Sequence, residues 1–279
     1  MLKQRVITGL VLALAFLAAL FALPALGFIG VMAGVLAYAA WEWSHLAGLE
    51  SAALRGLYTL SVLALGAALA GYLGYEQNII FAEKPRFLLL VACTWWAIAL
   101  LWVQSYPSSA ILWGRRWLCL SMGLLVLLPM WLALAGLISL TAGPQLVLSV
   151  VLLVALADIG GYFVGRAFGR TKLASKVSPG KTWEGLLGGQ LAILAAVLAT
   201  GWVMNIEASR LLLWVGLAMV TGLASVLGDL LESMLKRQRG VKDSGTILPG
   251  HGGVLDRIDG LTAALPVFGL GLSLLYNRL

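Results

Sequence analysis

Nine apolar runs, near residues 6–23, 25–41, 57–74, 87–104, 117–138, 146–165, 186–204, 211–231 and 261–276, leave little sequence between them for a water-exposed domain. Each is close to the roughly 20 residues that a helix needs to cross the hydrocarbon core of a bilayer. The runs are continuously apolar and do not alternate, which favours helices over a barrel, because a backbone in lipid must satisfy its own N–H and C=O groups. Composition agrees. With 61% hydrophobic residues, 11% charged and a mean hydropathy of +0.96, 19 basic and 12 acidic side chains cannot cover a soluble surface, so a water-soluble globular enzyme is excluded. The expected fold class is all-α, a polytopic integral membrane helical bundle of about nine transmembrane helices. A single membrane domain spans 1–279, with spans one to six in 1–165, a basic loop at 166–185, and the last three spans in 186–279 around a second polar loop at 232–260.

The basic residues predict the orientation. An amino terminus in the cytoplasm puts Lys3, Arg5, Arg55, Arg115, Arg116, Arg166, Arg170, Lys172, Lys176, Lys181, Lys236, Arg237, Arg239, Lys242 and Arg257 on that side and leaves only Lys84, Arg86, Arg210 and Arg278 outside. This split follows the positive-inside rule and supports an odd number of spans. It also accounts for the net charge of +7, which therefore calls for no nucleic-acid partner. The run at 6–23 is longer than a signal-peptide core and another follows at once, so an uncleaved first span is expected. Cys93 and Cys119 make no metal-type spacing and read as small membrane-buried residues.

Within the nine runs only Asp158 and Asp229 are charged. A carboxylate at membrane depth costs roughly 2.5–3.5 kcal/mol on insertion scales, so each needs a partner or a watery cavity. Gly160 and Gly161, beside Asp158, leave room for another backbone or a ligand. Ser225, Asp229, Ser233 and Lys236 follow at steps of four, four and three, which lines hydroxyls, carboxylate and ammonium along one helix face running out of the membrane.

Both polar loops are expected on the cytoplasmic face. The loop at 232–260 sets Lys236, Arg237, Arg239, Lys242 and Arg257 against Glu232, Asp243, Asp256 and Asp259. Such mixed charge suits a site that holds a metal by oxygen ligands and grips phosphates by Lys and Arg. Asp256 and Asp259 share a face at the start of the last helix, and Gly252-Gly253 before them offers a backbone nest for an anion. In the other loop Ser178-Pro-Gly-Lys-Thr182 resembles a nucleotide P-loop, but Ser175 stands where that pattern needs Gly and no strand precedes it, so the P-loop is rejected. Lys181 remains a phosphate-binding candidate, with Lys176 and Arg170 as helpers. His251 is open to a role as general base, phosphate donor or structural partner. Asp256-Arg-Ile-Asp259-Gly-Leu-Thr-Ala263 also resembles the start of the CDP-alcohol phosphotransferase signature, but Ala264 replaces its Arg and no acid follows Asp259, so that metal site cannot be completed.

The segment from Ser233 to Asp259 is similar, position by position, to the signature of CDP-diacylglycerol synthases, also called phosphatidate cytidylyltransferases. The match runs through Ser233-x-apolar-Lys236-Arg237, Lys242-Asp243, Pro249 and His251-Gly-Gly-apolar-x-Asp256-Arg257-apolar-Asp259. Ser178-Pro-Gly-Lys-Thr-Trp-Glu184, Trp41-Glu-Trp43 and Asp158 also resemble the bacterial enzymes, so the likeness covers essentially the whole chain.

The resemblance implies that CTP and phosphatidic acid give CDP-diacylglycerol and pyrophosphate at the cytoplasmic face of a bacterial inner membrane. It implies Mg2+ at Asp229 and Asp256, with Asp259 and Asp158 beside them, and leaves room for a monovalent cation such as K+. Lys236, Arg237, Lys242, Arg257 and Lys181 then take substrate phosphates, Asp229, Asp256, Lys236 and Arg237 forming the catalytic set. Ser225, Ser233 and His251 are polar partners. A homodimer is compatible with the likeness. Two alternatives stand beside it: another lipid-phosphate or polyprenyl-phosphate transferase, and a proton-coupled transporter, which intramembrane acids would serve.

Overall fold

The computed structural model describes residues 2–74, 80 and 82–275. The side chains of Lys3 and Arg5, together with Arg278 and the end of the ninth run at 276, lie outside the described residues. Each apolar run is a helix: α1 (Leu2–Ala22), α2 (Ala25–Leu46), α3 (Ala52–Leu73), α4 (Glu83–Gln104), then the single turn α5 (Ala110–Trp113), α6 (Arg116–Ile138), α7 (Gly143–Phe168), α8 (Trp183–Val203), α9 (Ala208–Arg239) and α10 (Leu255–Leu275). Eight of them are long and apolar enough to cross a membrane, and α1 carries a shorter apolar stretch, Val6–Ala22.

Burial orders the bundle. α6 is apolar on all sides and buried almost continuously from Val126 to Ile138, as expected of a helix at the centre of a membrane bundle. α10 is similarly enclosed, from Thr262 to Phe268 and again at Leu272. By contrast α1 and α3 leave much of their apolar surface outward, where lipid is the natural solvent.

Cross-links fix which helix ends share a face. Trp43 Nε1 donates to the carbonyl of Cys119 at 2.8 Å, joining the end of α2 to the start of α6. Thr8 near the start of α1 donates to the Pro249 carbonyl at 3.2 Å, in the loop between α9 and α10. On the opposite face Arg86, early in α4, donates to Ser273 Oγ near the end of α10 at 3.1 Å. Phe16 meets Phe28 edge-on at 6.0 Å between centroids, so α1 and α2 run antiparallel. These contacts fit long helices that alternate in direction along the bundle.

Two departures from the sequence expectation matter for the site. The loop expected at 232–260 is helical at both ends: α9 continues to Arg239 and α10 begins at Leu255, which confines irregular chain to 240–254. At 32 residues α9 is about 48 Å long, well beyond the ~30 Å hydrocarbon core, so its charged last turns project from the membrane. Gly240 ends it in the left-handed region, at φ 73°, where only glycine is unstrained. Its amide and that of Val241 return to the carbonyls of Arg237 and Lys236, closing the helix. The second departure is a β-hairpin within 166–185: β1 (Lys172–Ala174) pairs antiparallel with β2 (Ser178–Thr182), Lys172 opposite Thr182 and Ala174 opposite Ser178.

Candidate active site

The hairpin is tied down by its own polar groups. Thr182 caps α8, its Oγ1 accepting the Gly185 amide at 3.1 Å. The Glu184 carboxylate accepts the amides of Arg170 and Thr171, each at 3.1 Å, and the Trp183 amide donates to the Thr171 carbonyl at 2.9 Å. Arg237 on α9 donates to the Val177 carbonyl at the hairpin turn at 3.2 Å and to the Val241 carbonyl at 3.4 Å. Thr182, at the end of β2, is buried, and Lys181 before it is half-buried.

Lys181 reaches Asp229 on α9, Nζ to Oδ2 at 2.5 Å. Ser233, one turn on, donates to Asp229 Oδ1 at 3.1 Å. Beside this pair lies a cavity of about 300 Å³ whose lining includes Asp158, Tyr162, Ser178, Lys181, Thr182 and Val226. The place where α7 and α8 meet is set by glycines: a Cβ on Gly160 would stand 2.7 Å from the Gly188 carbonyl, and one on Gly185 2.8 Å from the Gly161 carbonyl. The room left by Gly160 and Gly161 is thus taken by the α8 backbone.

A second cluster joins the end of α9 to the start of α10. Lys236 Nζ is 2.7 Å from Asp256 Oδ1 and 3.4 Å from Glu232 Oε1, with all three side chains buried. Asp256 Oδ2 accepts the Gly253 amide at 2.8 Å, the Ser244 amide at 2.9 Å and Ser244 Oγ at 3.0 Å. Asp259 Oδ1 accepts the Gly260 amide at 2.7 Å. Glu232 is 2% exposed, paired with Lys236 and hydrogen-bonded to the Asp259 carboxyl.

The expected residues therefore fall into two groups. Asp158, Lys181, Asp229 and Ser233 meet at the cavity, while Lys236, Asp256 and Asp259 meet where α9 and α10 converge; Asp229 lies within electrostatic reach of both Asp158 and Asp259. Arg257 is exposed, and Asp158 feels its charge. The others lie elsewhere. Arg237 is fixed to backbone carbonyls, Lys242 is exposed on the loop, and Ser225 is buried with its hydroxyl on the Gly222 carbonyl. His251 sits in the loop facing α1, its Nε2 3.7 Å from where a Cβ on Gly9 would be. The nest expected from Gly252-Gly253 is filled from within: the amides of Gly253, Val254 and Leu255 go to Asp256 and Glu42. Ser244 has no role expected from the sequence; Glu42 enters there only within the Trp41-Glu-Trp43 likeness, and Glu232 only as part of the loop's mixed charge.

Hard oxygen donors suit a divalent cation. Five carboxylates, Asp158, Asp229, Glu232, Asp256 and Asp259, face Lys181, Lys236 and Arg257, so negative side chains outnumber positive ones. Among the described residues no three Asp, Glu, His or Cys side chains converge on one point. The carboxylates present are compatible with a divalent cation held in part by substrate oxygens.

The sequence model described as the Cytidylyltransferase family matches residues 3–275. The chain is 47% identical over 268 residues to the phosphatidate cytidylyltransferase of Pseudomonas aeruginosa, covering 96% of each chain. It is 41% identical over 286 residues to that of Haemophilus influenzae, covering 96% of this chain and 97% of the other. To the Staphylococcus aureus enzyme of the same name it is 41% identical over 128 residues, 46% of this chain and 49% of that one.

Proposed function

This chain belongs to the cytidylyltransferase family, and on that premise we propose that it transfers the cytidylyl group of CTP to phosphatidic acid, giving CDP-diacylglycerol and pyrophosphate. The observation that carries the proposal is the Lys181–Asp229 pair beside a cavity bounded by membrane helices and by the projecting hairpin. One substrate is a water-soluble polyanion and the other a lipid with a phosphate head, so their reaction needs a site where the membrane meets water.

An oxygen of the lipid phosphate attacks the α-phosphorus of CTP in line. The new P–O bond forms as the bond from that phosphorus to the bridging oxygen breaks, and the bridging oxygen leaves on pyrophosphate. No covalent intermediate with the protein is needed, and catalysis is positioning and charge neutralisation. Lys181 exchanges Asp229 for a phosphate oxygen when substrate enters, and Lys236 and Arg257 supply further positive charge. A bound Mg2+ would neutralise the triphosphate, and Asp229 and Asp256, with Asp259 and Asp158 beside them, are the carboxylates that would hold it. The site opens to the cytoplasm, in line with the basic residues gathered on its face.

The test is pyrophosphate release by the detergent-solubilised protein with CTP, phosphatidic acid and Mg2+, each omitted in turn. Release that needs all three, with a CDP-lipid product, is expected. Folded protein that is active only on another lipid phosphate would move the assignment to that substrate, and protein inactive on any would move it to transport.

A further inference from the structure

We propose that Glu42, on the second helix, is a positioning residue that clamps the loop 240–254 and, through Ser244, fixes Asp256 opposite Lys236. It lies 212 residues before Val254, whose amide donates to its Oε1 at 3.2 Å. Its Oε2 accepts the Leu255 amide at 2.8 Å and faces Ser244 Oγ at 3.0 Å. Glu42 is 2% exposed, so these contacts replace water entirely.

Three features mark this as a built clamp and not a buried acid taking whatever donors lie nearby. First, the amides it accepts belong to the start of α10, where backbone donors have no partner within the helix and a negative charge is favoured. Second, the loop is shaped around the carboxylate: a Cβ on Gly245 or on Gly253 would collide with it, so a larger residue at either place would have to push the carboxylate out of its contacts. Third, Ser244 Oγ stands 3.0 Å from both Glu42 Oε2 and Asp256 Oδ2. That hydroxyl links a carboxylate in α2 to one in α10, and Asp256 is in turn held to Lys236. The path Glu42–Ser244–Asp256–Lys236 thus ties the second helix to the two that carry the signature.

The inference rests on the proposed reaction in that Asp256 and Lys236 are taken to serve it. In Glu42→Gln the amide nitrogen must face either the Leu255 or the Val254 N–H, so one of the two bonds is lost, while Glu42→Ala loses both. Displacement of supporting groups of this kind typically costs about 10- to 100-fold in activity. The expected result is a kcat reduced about 10-fold in Glu42→Gln and further in Glu42→Ala, with KM for CTP and phosphatidic acid little changed, because geometry in the transition state is what is lost. Ser244→Ala cuts the same path. Its effect should not multiply with that of Glu42→Gln, since residues in one network are not additive. Hydrogen exchange at residues 244–256 should quicken in Glu42→Gln while α7 and α8 keep their protection. Wild-type kcat in both Glu42 variants, or losses in Glu42→Gln and Ser244→Ala that simply multiply, would overturn the clamp. If the wild-type protein itself releases no pyrophosphate, the proposed reaction falls and exchange decides alone: quickening confined to 244–256 upholds the clamp, and unchanged exchange refutes it.

Discussion

Lys181 Nζ and Asp229 Oδ2 lie 2.5 Å apart, and their contact bridges the β-hairpin to the ninth helix beside the cavity. Both side chains keep about a quarter of their exposure, and ion pairs this open contribute about 1 kcal/mol or less to stability. Lys181→Met should accordingly leave the melting temperature in detergent nearly unchanged. Turnover is another matter, because the ammonium sits where phosphate charge must be met; removal of a single such group costs about 100- to 1000-fold. An unfolded Lys181→Met protein, or a folded one with full activity, would remove Lys181 from the substrate site.

Asp256 and Asp229 should fail in different ways. Asp256 accepts from Lys236, Gly253 and Ser244, and Asn in its place must turn an NH2 group toward one of these donors. Lys236 is then left buried without its closest counter-charge, a loss of about 3 kcal/mol. Asp256→Asn is expected to be both inactive and less heat-stable, whereas Asp229→Asn, at a more open position, should be inactive with near-normal stability. Pyrophosphate release and thermal unfolding, measured side by side, separate the two. Equal stability in both variants would mean that the Asp256 network does not hold the loop.

The membrane fold was legible because hydropathy reports a solvent directly, and every apolar run is a helix. Charge at helix ends hid how far those helices extend: Glu232 to Arg239 and Leu255 to Gly260 look like loop by hydropathy yet continue α9 and α10. The same habit ended the second run at Trp41 and left Glu42 outside every candidate site, although it is among the most deeply buried carboxylates of the described chain. Strands of three and five residues, one containing Pro179, carry too short a pattern to be read as a hairpin. The spacing of Ser225, Asp229, Ser233 and Lys236 ran them along one face, but the structure divides them: Asp229 and Ser233 meet Lys181, Lys236 turns to Asp256, and Ser225 closes on its own helix, choices of partner that no local pattern holds. Gly252-Gly253 was expected to form a nest for an anion, and the use found, lending an amide to the protein's own carboxylates, depends on Glu42 arriving from another helix.

Close glycine contact between α7 and α8 should be as important as the charged groups. A Cβ at Gly160 would come within 2.7 Å of the Gly188 carbonyl and 2.9 Å of Ala192 Cβ, so Gly160→Ala must part the helices. Overpacking of this kind costs about 1–3 kcal/mol, and the movement enters the cavity lined by Asp158 and Gly161. Lower melting temperature and lower kcat are both expected. Gly34→Ala is the control, because nothing lies within 4 Å of its added carbon. If the two substitutions behave alike, close packing at Gly160 is not what sets the cavity.

Orientation can be tested on the loop itself. Lys242 is exposed between α9 and α10, on the face shared with Lys181, Arg237 and the start of α1, whereas Glu207 precedes α9 at the other end of that helix. Gathering of basic residues on the first face predicts that it is cytoplasmic. In a Cys93→Ser, Cys119→Ser background, Lys242→Cys should react with an impermeant thiol reagent in inverted vesicles and not in intact spheroplasts, and Glu207→Cys should show the opposite pattern. The two sites are joined by one helix long enough to span the bilayer, so labelling of both from the same side would refute the crossing of α9 itself, while a clean exchange of sides would invert the whole bundle and place the CTP site outside the cell, where the proposed reaction has no nucleotide supply.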